Sequence, residues 1–94
     1  MGCEGCDWDD QKHAENLLKH RVRFEDACCV FDDPYYIELF EDLEDDEDRW
    51  RVTGRVGEIV LVVVWTERQG LKRIISARRA ERPERNAYYV QFNE

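Results

Sequence analysis

The sequence has no long apolar run. Its longest, Ile59 to Trp65, is seven residues, against the roughly 18 that a membrane-spanning helix requires. The N-terminus "MGCEGCDWDD" lacks the basic start and the apolar core of a secretory signal. Residue 6 is Cys where an N-myristoylation signal requires Ser or Thr. These absences lead to the expectation of a soluble, cytoplasmic protein with no membrane partner. Internal repeats and linkers are also missing, so the 94 residues are expected to form one domain, residues 1–94. A hydrophobic content of 43% excludes disorder from end to end.

Positive charge is scarce in one half of the chain only. Residues 1–48 carry 17 acidic and 4 basic side chains, a net of -13, whereas residues 49–94 carry 5 acidic and 10 basic, a net of +5. The stretch "LKRIISARRAERPER", Leu71 to Arg85, gathers Lys72, Arg73, Arg78, Arg79, Arg82 and Arg85 in a chain of formal charge -8. Such asymmetry suits a polyanion or an acidic partner for the basic half. Mutual neutralisation of the two halves within the fold is the competing explanation.

Four cysteines stand at positions 3, 6, 28 and 29. "CEGC" followed by "CC" could supply four thiolates to zinc, but adjacent cysteines are poor zinc spacing. A disulfide framework is not expected in a cytosolic chain. Cys28 and Cys29 therefore read as small core residues, and Cys3 and Cys6 as an exposed end. No metal or other cofactor is expected.

Trp8 to His20 reads as a helix capped by Asp7 or Asp9, with Ala14, Leu17 and Leu18 on its core face. Lys12, Asn16 and Lys19 line the opposite face, flanked by His13 and His20. In "RVRFEDACCVFDDP", Phe24, Ala27, Cys28 and Phe31 form a second helical stripe that Pro34 ends. "YYIELF" is a strand candidate. "EDLEDDED" packs seven carboxylates into eight residues and reads as a solvated loop; it lacks the ligand spacing and glycine of a calcium-binding EF-hand. "RWRVTGR" alternates, with Trp50 and Val52 on one face. "EIVLVVVWTE" is apolar on both faces, as a central strand must be. "RQG" turns the chain into the strand "LKRIISAR", and Pro83 suits the first turn of a closing helix over Glu84 to Phe92, packed through Ala87, Tyr88 and Gln91/Phe92. This order gives an α+β layout: two N-terminal helices on an antiparallel sheet of about four strands, plus a C-terminal helix.

The stretch "WDDQKHAENLLKHRVRFEDACCVFDDP" resembles the opening of the BrnT-type ribonuclease toxins of bacterial type II toxin–antitoxin pairs. The shared residues are Trp8, Asp9, Lys12, Asn16, Lys19, His20, Val22, Phe24, Ala27, Phe31, Asp33 and Pro34. The match continues through Arg49, Gly54, "VVVWTER", "RIISARRA" and Glu84-Arg85, from about residue 7 to about residue 89. It implies a RelE-like fold and RNA cleavage without a metal. It also implies neutralisation by an antitoxin with a ribbon-helix-helix DNA-binding end, so that operator DNA is reached only through the antitoxin. The chain departs from the family at "MGCEGC", which stands in place of a short apolar strand, and at the unusually acidic "EDLEDDED".

Metal-free RNA cleavage requires a base for the 2′-OH, a cation for the phosphate and an acid for the leaving 5′ oxygen. His20 is the natural proton-transfer group, with Glu67 as the alternative base. Arg68, Arg73 and Arg78 can fork onto phosphate oxygens. Lys12, Asn16 and Lys19 would add substrate contacts. The candidate catalytic set is thus His20, Glu67, Arg73 and Arg78, and the candidate binding set Lys12, Asn16, Lys19 and Arg68. Each also has a structural explanation. His20 could answer the helix dipole, Glu67 could pair with Arg68 or with Arg73 across the hairpin, and Arg78 and Arg79 could hold the acidic loop. An inactive relative that only binds antitoxin and controls its operon, and a stand-alone binding protein whose acidic loop mimics nucleic acid, are the other two readings.

Overall fold

The computed structural model describes residues 5–41 and 48–92. Most of the acidic run, residues 42–47, and the first four residues lie outside the described residues. The elements are β1 (Cys6–Trp8), α1 (Asp10–His20), α2 (Phe24–Cys28), a 3₁₀ turn (Cys29–Asp32), β2 (Ile37–Glu41), β3 (Arg49–Val56), β4 (Ile59–Arg68), β5 (Leu71–Arg79) and α3 (Arg82–Val90). The five strands form one sheet in the order β1-β5-β4-β3-β2. All neighbours are antiparallel except β1, which runs parallel to β5. The α+β class is as expected, but the sheet has a fifth strand and is mixed. Three residues with no apolar alternation, ordered only by a neighbour distant in sequence, give no periodic signal.

β4 is the middle strand, which its apolar character on both faces requires. Leu61, Val63 and Trp65 face one way and join Val22, Phe24, Ala27, Cys28, Val30, Val52, Ile74 and Ala77 in the main core. Val60 and Val62 face the other way, where Ala80 and Tyr88 cover them. Gln69 (φ 54°) and Gly70 (φ 79°) make the two-residue turn between β4 and β5, and two left-handed residues in succession match the twist of the hairpin. At Gly54 a Cβ would meet Val30 Cγ2 at 2.5 Å, so only glycine lets the 3₁₀ turn sit this close to β3.

α1 begins at Asp10, two residues later than expected, because Trp8 is drawn into β1, and its cap is Asp9, one of the two expected. Asp9 accepts hydrogen bonds from the N–H groups of Gln11 (2.8 Å) and Lys12 (3.2 Å), which hold its carboxyl below the usual range. Its packing face is not the expected one. Leu18 is 83% exposed and Leu17 39%, while Asn16 is the buried residue of the helix. Parallel pairing of β1 with β5 stops at Trp8 opposite Ile74. Further along β5, Asn16 supplies what a strand would: its Nδ2 donates to the Ala77 carbonyl (2.8 Å) and its Oδ1 accepts from the Ala77 N–H (3.1 Å). Nδ2 also donates to the Val22 carbonyl (3.0 Å). One amide side chain thereby satisfies a buried strand edge, a stronger requirement than covering Leu18. His13 does not flank a polar stripe either. It stacks on Phe24 at 5.1 Å, and its Nε2 lies 3.2 Å from Glu25 Oε1, in ion-pair range though not aligned as a hydrogen bond.

A disulfide joins Cys6 to Cys28 with Cα atoms 6.2 Å apart, and Cys29, only partly buried, is disulfide-bonded too; this corrects the expectation that these cysteines would be unlinked and excludes them as zinc thiolates. Closing a 22-residue separation contributes about 3 kcal/mol by the chain-entropy account.

α3 is docked by two polar ties. Tyr88 Oη donates to Asp33 Oδ2 (2.6 Å), and the same carboxylate accepts from the N–H groups of Arg55 (2.8 Å) and Tyr35 (3.0 Å). Burial pushes the Asp33 carboxyl up, but these bonds outweigh it and hold it low. Burial and the bond to Asp33 push the Tyr88 phenol up to about 12. At the other end, Arg78 grips Glu84 through two hydrogen bonds of 2.8 and 2.7 Å, while Glu84 also accepts from the Glu81 N–H in a capping box. The helix begins two residues earlier than expected, and Ala87 points to solvent.

Asn16→Ala leaves both polar groups of buried Ala77 without a partner and should cost about 2–4 kcal/mol in urea unfolding; an unchanged midpoint would show that water replaces the amide. The bond from Arg78 holds the Glu84 carboxyl at about 2 against an unfolded value of 4.5. Its stabilisation is therefore complete above pH 4.5 and is lost as pH falls toward 2. Glu84→Gln should flatten the stability profile across that window, and Arg78→Ala should lower neutral-pH stability by about 1–2 kcal/mol.

Candidate nucleic-acid interface

Strand alternation decides where the charge of β5 goes. Lys72 lies on the face of the main core, its Nζ 5.0 Å above the Trp65 ring and 5.1 Å above Phe31. Arg73 lies on the opposite face, across from Thr66. Between them and the upper half of the strand there is a bulge. Ile74 is opposite Trp65 and Ser76 opposite Val64, leaving Ile75 as the extra residue. Above it, Arg78 turns to Glu84 and Arg79 borders a separate apolar cleft with Arg21, Asp26 and Ile59. The basic run is therefore dispersed over at least four environments.

Two clefts meet at the bulge. The first, about 290 Å³, is lined by Lys12, Glu15, Asn16, Lys19, His20, Ile75 and Ser76. The second, about 120 Å³, is lined by Asp9, Lys12, Arg49, Thr66, Arg68, Arg73, Ile74 and Ile75. Lys12 and Ile75 belong to both, so the two clefts are neighbours with a common wall between α1 and β5, and together they make up the groove. α1 supplies Lys12, Lys19 and His20 at a spacing that aligns them, and the buried anchor of Asn16 fixes the rotation of the helix. Within the groove the cations Lys12, Lys19, Arg49, Arg68 and Arg73 outnumber the carboxylates Asp9 and Glu15. Arg73 is not independent of its own chain: its Nη1 lies 3.2 Å from Asp7 Oδ2 on β1.

Of the eight residues singled out from the sequence, the groove unites six: Lys12, Asn16, Lys19, His20, Arg68 and Arg73. Asn16 takes part through position only, since its amide is committed to the backbone. The other two stand apart. Glu67 is opposite Lys72 in the register, on the face away from Arg68 and Arg73. It therefore does not pair with Arg73 across the hairpin; Asp7 takes that place. Arg78 is spent on the cap of α3. Arg49, Thr66 and Ser76 were missed. Arg49 opens β3 directly after the acidic run and reads there as its counter-ion, while Thr66 hides in an apolar strand, its Oγ1 donating to the Asp48 carbonyl at 2.7 Å.

No helix among the described residues is long and apolar enough to cross a membrane. Comparison with curated proteins finds no match. The family model for the ribonuclease toxin BrnT of type II toxin–antitoxin systems matches residues 8–84, a span that holds α1, the whole groove and all four strands of the antiparallel part of the sheet. The chain accordingly belongs to the BrnT ribonuclease toxins of type II toxin–antitoxin systems, with an antitoxin protein as partner and RNA as target.

Proposed function

We propose that the groove is the RNA-cleaving site and that it works without a metal, by attack of a 2′-OH on the adjacent phosphate. The observation that carries this reading is the shared wall of the two clefts, which sets a titratable imidazole at one end of a run of cations. His20 takes the proton from the 2′-OH, imidazole being the side chain most often used for general acid–base work. Arg73 and Arg68 hold the phosphate oxygens in fork geometry, and Lys12, at the junction, faces the charge that builds as the bond breaks. Lys19 and Arg49 extend the track for the strand. Glu67, on the other face, is not part of this scheme, and neither is Arg78. The partner is a ribbon-helix-helix antitoxin in the cytoplasm, through which the pair reaches operator DNA.

A second reading has an observation of its own. Both arginines of the candidate catalytic set are held by carboxylates of this chain, Arg73 by Asp7 and Arg78 by Glu84. A catalytically inactive relative that retains only antitoxin binding would look the same. Cleavage of a labelled RNA by the isolated chain separates the two readings.

His20→Ala should lower the cleavage rate by about 100-fold or more, the usual contribution of a positioned acid–base group. Arg73→Ala should lower it by about 10- to 100-fold. Both variants should melt within a few degrees of the parent, since neither side chain is in the core. Cleavage unchanged in both would remove the groove from consideration. A chelator should leave both rate and melting temperature where they were; loss of cleavage restored by a divalent ion would replace this mechanism with a metal-assisted one.

A further inference from the structure

β1 is only three residues long and sits at the sheet edge, yet it carries two side chains of opposite consequence. Successive strand residues face opposite ways. Cys6 points to the main core, where its sulfur is bonded to Cys28 on α2, a residue 2% exposed. Asp7 points to the opposite face, where its carboxylate lies 3.2 Å from the guanidinium of Arg73, a residue that lines the groove. The covalent bond on one face thus holds a competing anion against a phosphate-binding cation on the other. Cys29 is disulfide-bonded as well, and a reductant opens both bonds; β1 then depends on the three-residue register of Cys6, Asp7 and Trp8 with Lys72, Arg73 and Ile74, and on a bond from the Lys72 N–H to the Gly5 carbonyl (2.9 Å). So short an edge ladder opens easily.

We infer that the Cys6–Cys28 bond is a redox latch on the RNA groove: oxidised, it keeps Asp7 on Arg73 and weakens phosphate binding; reduced, it frees the strand and strengthens it. The inference rests on the groove being the RNA site. The step balances with a dithiol as reductant. A thiolate of the dithiol attacks the sulfur of Cys6, the less buried residue of the pair, Cys28 leaves as thiolate and takes up a proton, and the second dithiol sulfur displaces Cys6 as a thiol. Two electrons pass to the protein, and the dithiol closes to its own disulfide. α2 is also anchored apart from the disulfide, by Phe24 and Ala27, both fully buried.

The experiment uses the full chain carrying Cys3→Ser and Cys29→Ser, so that only one disulfide can form. Oxidised and dithiothreitol-treated samples are compared by amide hydrogen exchange over residues 5–9 and 71–74, and by fluorescence anisotropy with a 2′-O-methylated single-stranded RNA that cannot be cleaved. Reduction should speed exchange in those two segments and tighten RNA binding at least fivefold. Asp7→Asn should bind RNA as tightly when oxidised as the reduced parent does, and should respond little to reduction. Unchanged exchange overturns the latch whatever the RNA result, as does equal affinity in both redox states or global unfolding on reduction. If exchange speeds up but neither state binds RNA, it is the groove reading that has failed, and the inference falls with it.

Discussion

The structure turns on one side chain acting as backbone. Asn16 meets both polar groups of Ala77 where the parallel pairing with β1 has run out, so β5 has a partner along an edge that would otherwise be exposed. That pair of bonds fixes α1 in rotation as well as in place, because an amide that must address one residue of a strand tolerates little turning. The rotation decides that Lys12, Lys19 and His20 share a cleft with Ile75 and Ser76. The groove is thus a consequence of a hydrogen-bond requirement, and the exposure of Leu17 and Leu18 is the cost on the other side of the helix.

β5 shows how one strand serves several purposes. Alternation sends Lys72 over two aromatic rings and Arg73 into the groove, and the bulge at Ile75 resets the alternation so that Arg78 caps α3. The excess of arginine and lysine in this stretch does not make one positive surface. It supplies a cation to each of several neighbours, of which one is the groove. Both explanations of the charge asymmetry therefore hold, for different residues.

How much of this could be read from the residues varies with the kind of force involved. β4 was legible because burial on two faces forces a continuous apolar run, and α2 because its stripe had a single core to face. Placing Lys12, Lys19, Arg68, Arg73 and His20 in one site was within reach once the family pattern was seen, although spacing alone brings together only those on α1. The inward face of α1 was not legible: hydrophobic periodicity points at Ala14, Leu17 and Leu18, and nothing in the pattern says that a distant strand edge needs an amide. β1 and its disulfide depend on contacts between segments about 65 residues apart in one case and 22 in the other, which no local pattern records. Glu67 is different. It stands between Thr66 and Arg68 in an evident strand, so strict alternation already places it away from Arg68.

The order of elements along the chain has a temporal consequence. Val60 and Val62 on β4 are covered by Tyr88 of α3, which the ribosome makes some twenty-five residues later. α3 is the last element described, so the cover of Val60 and Val62 is the last part of the fold to be made. A chain ending before α3 would carry every residue that lines the groove and still leave Val60 and Val62 uncovered.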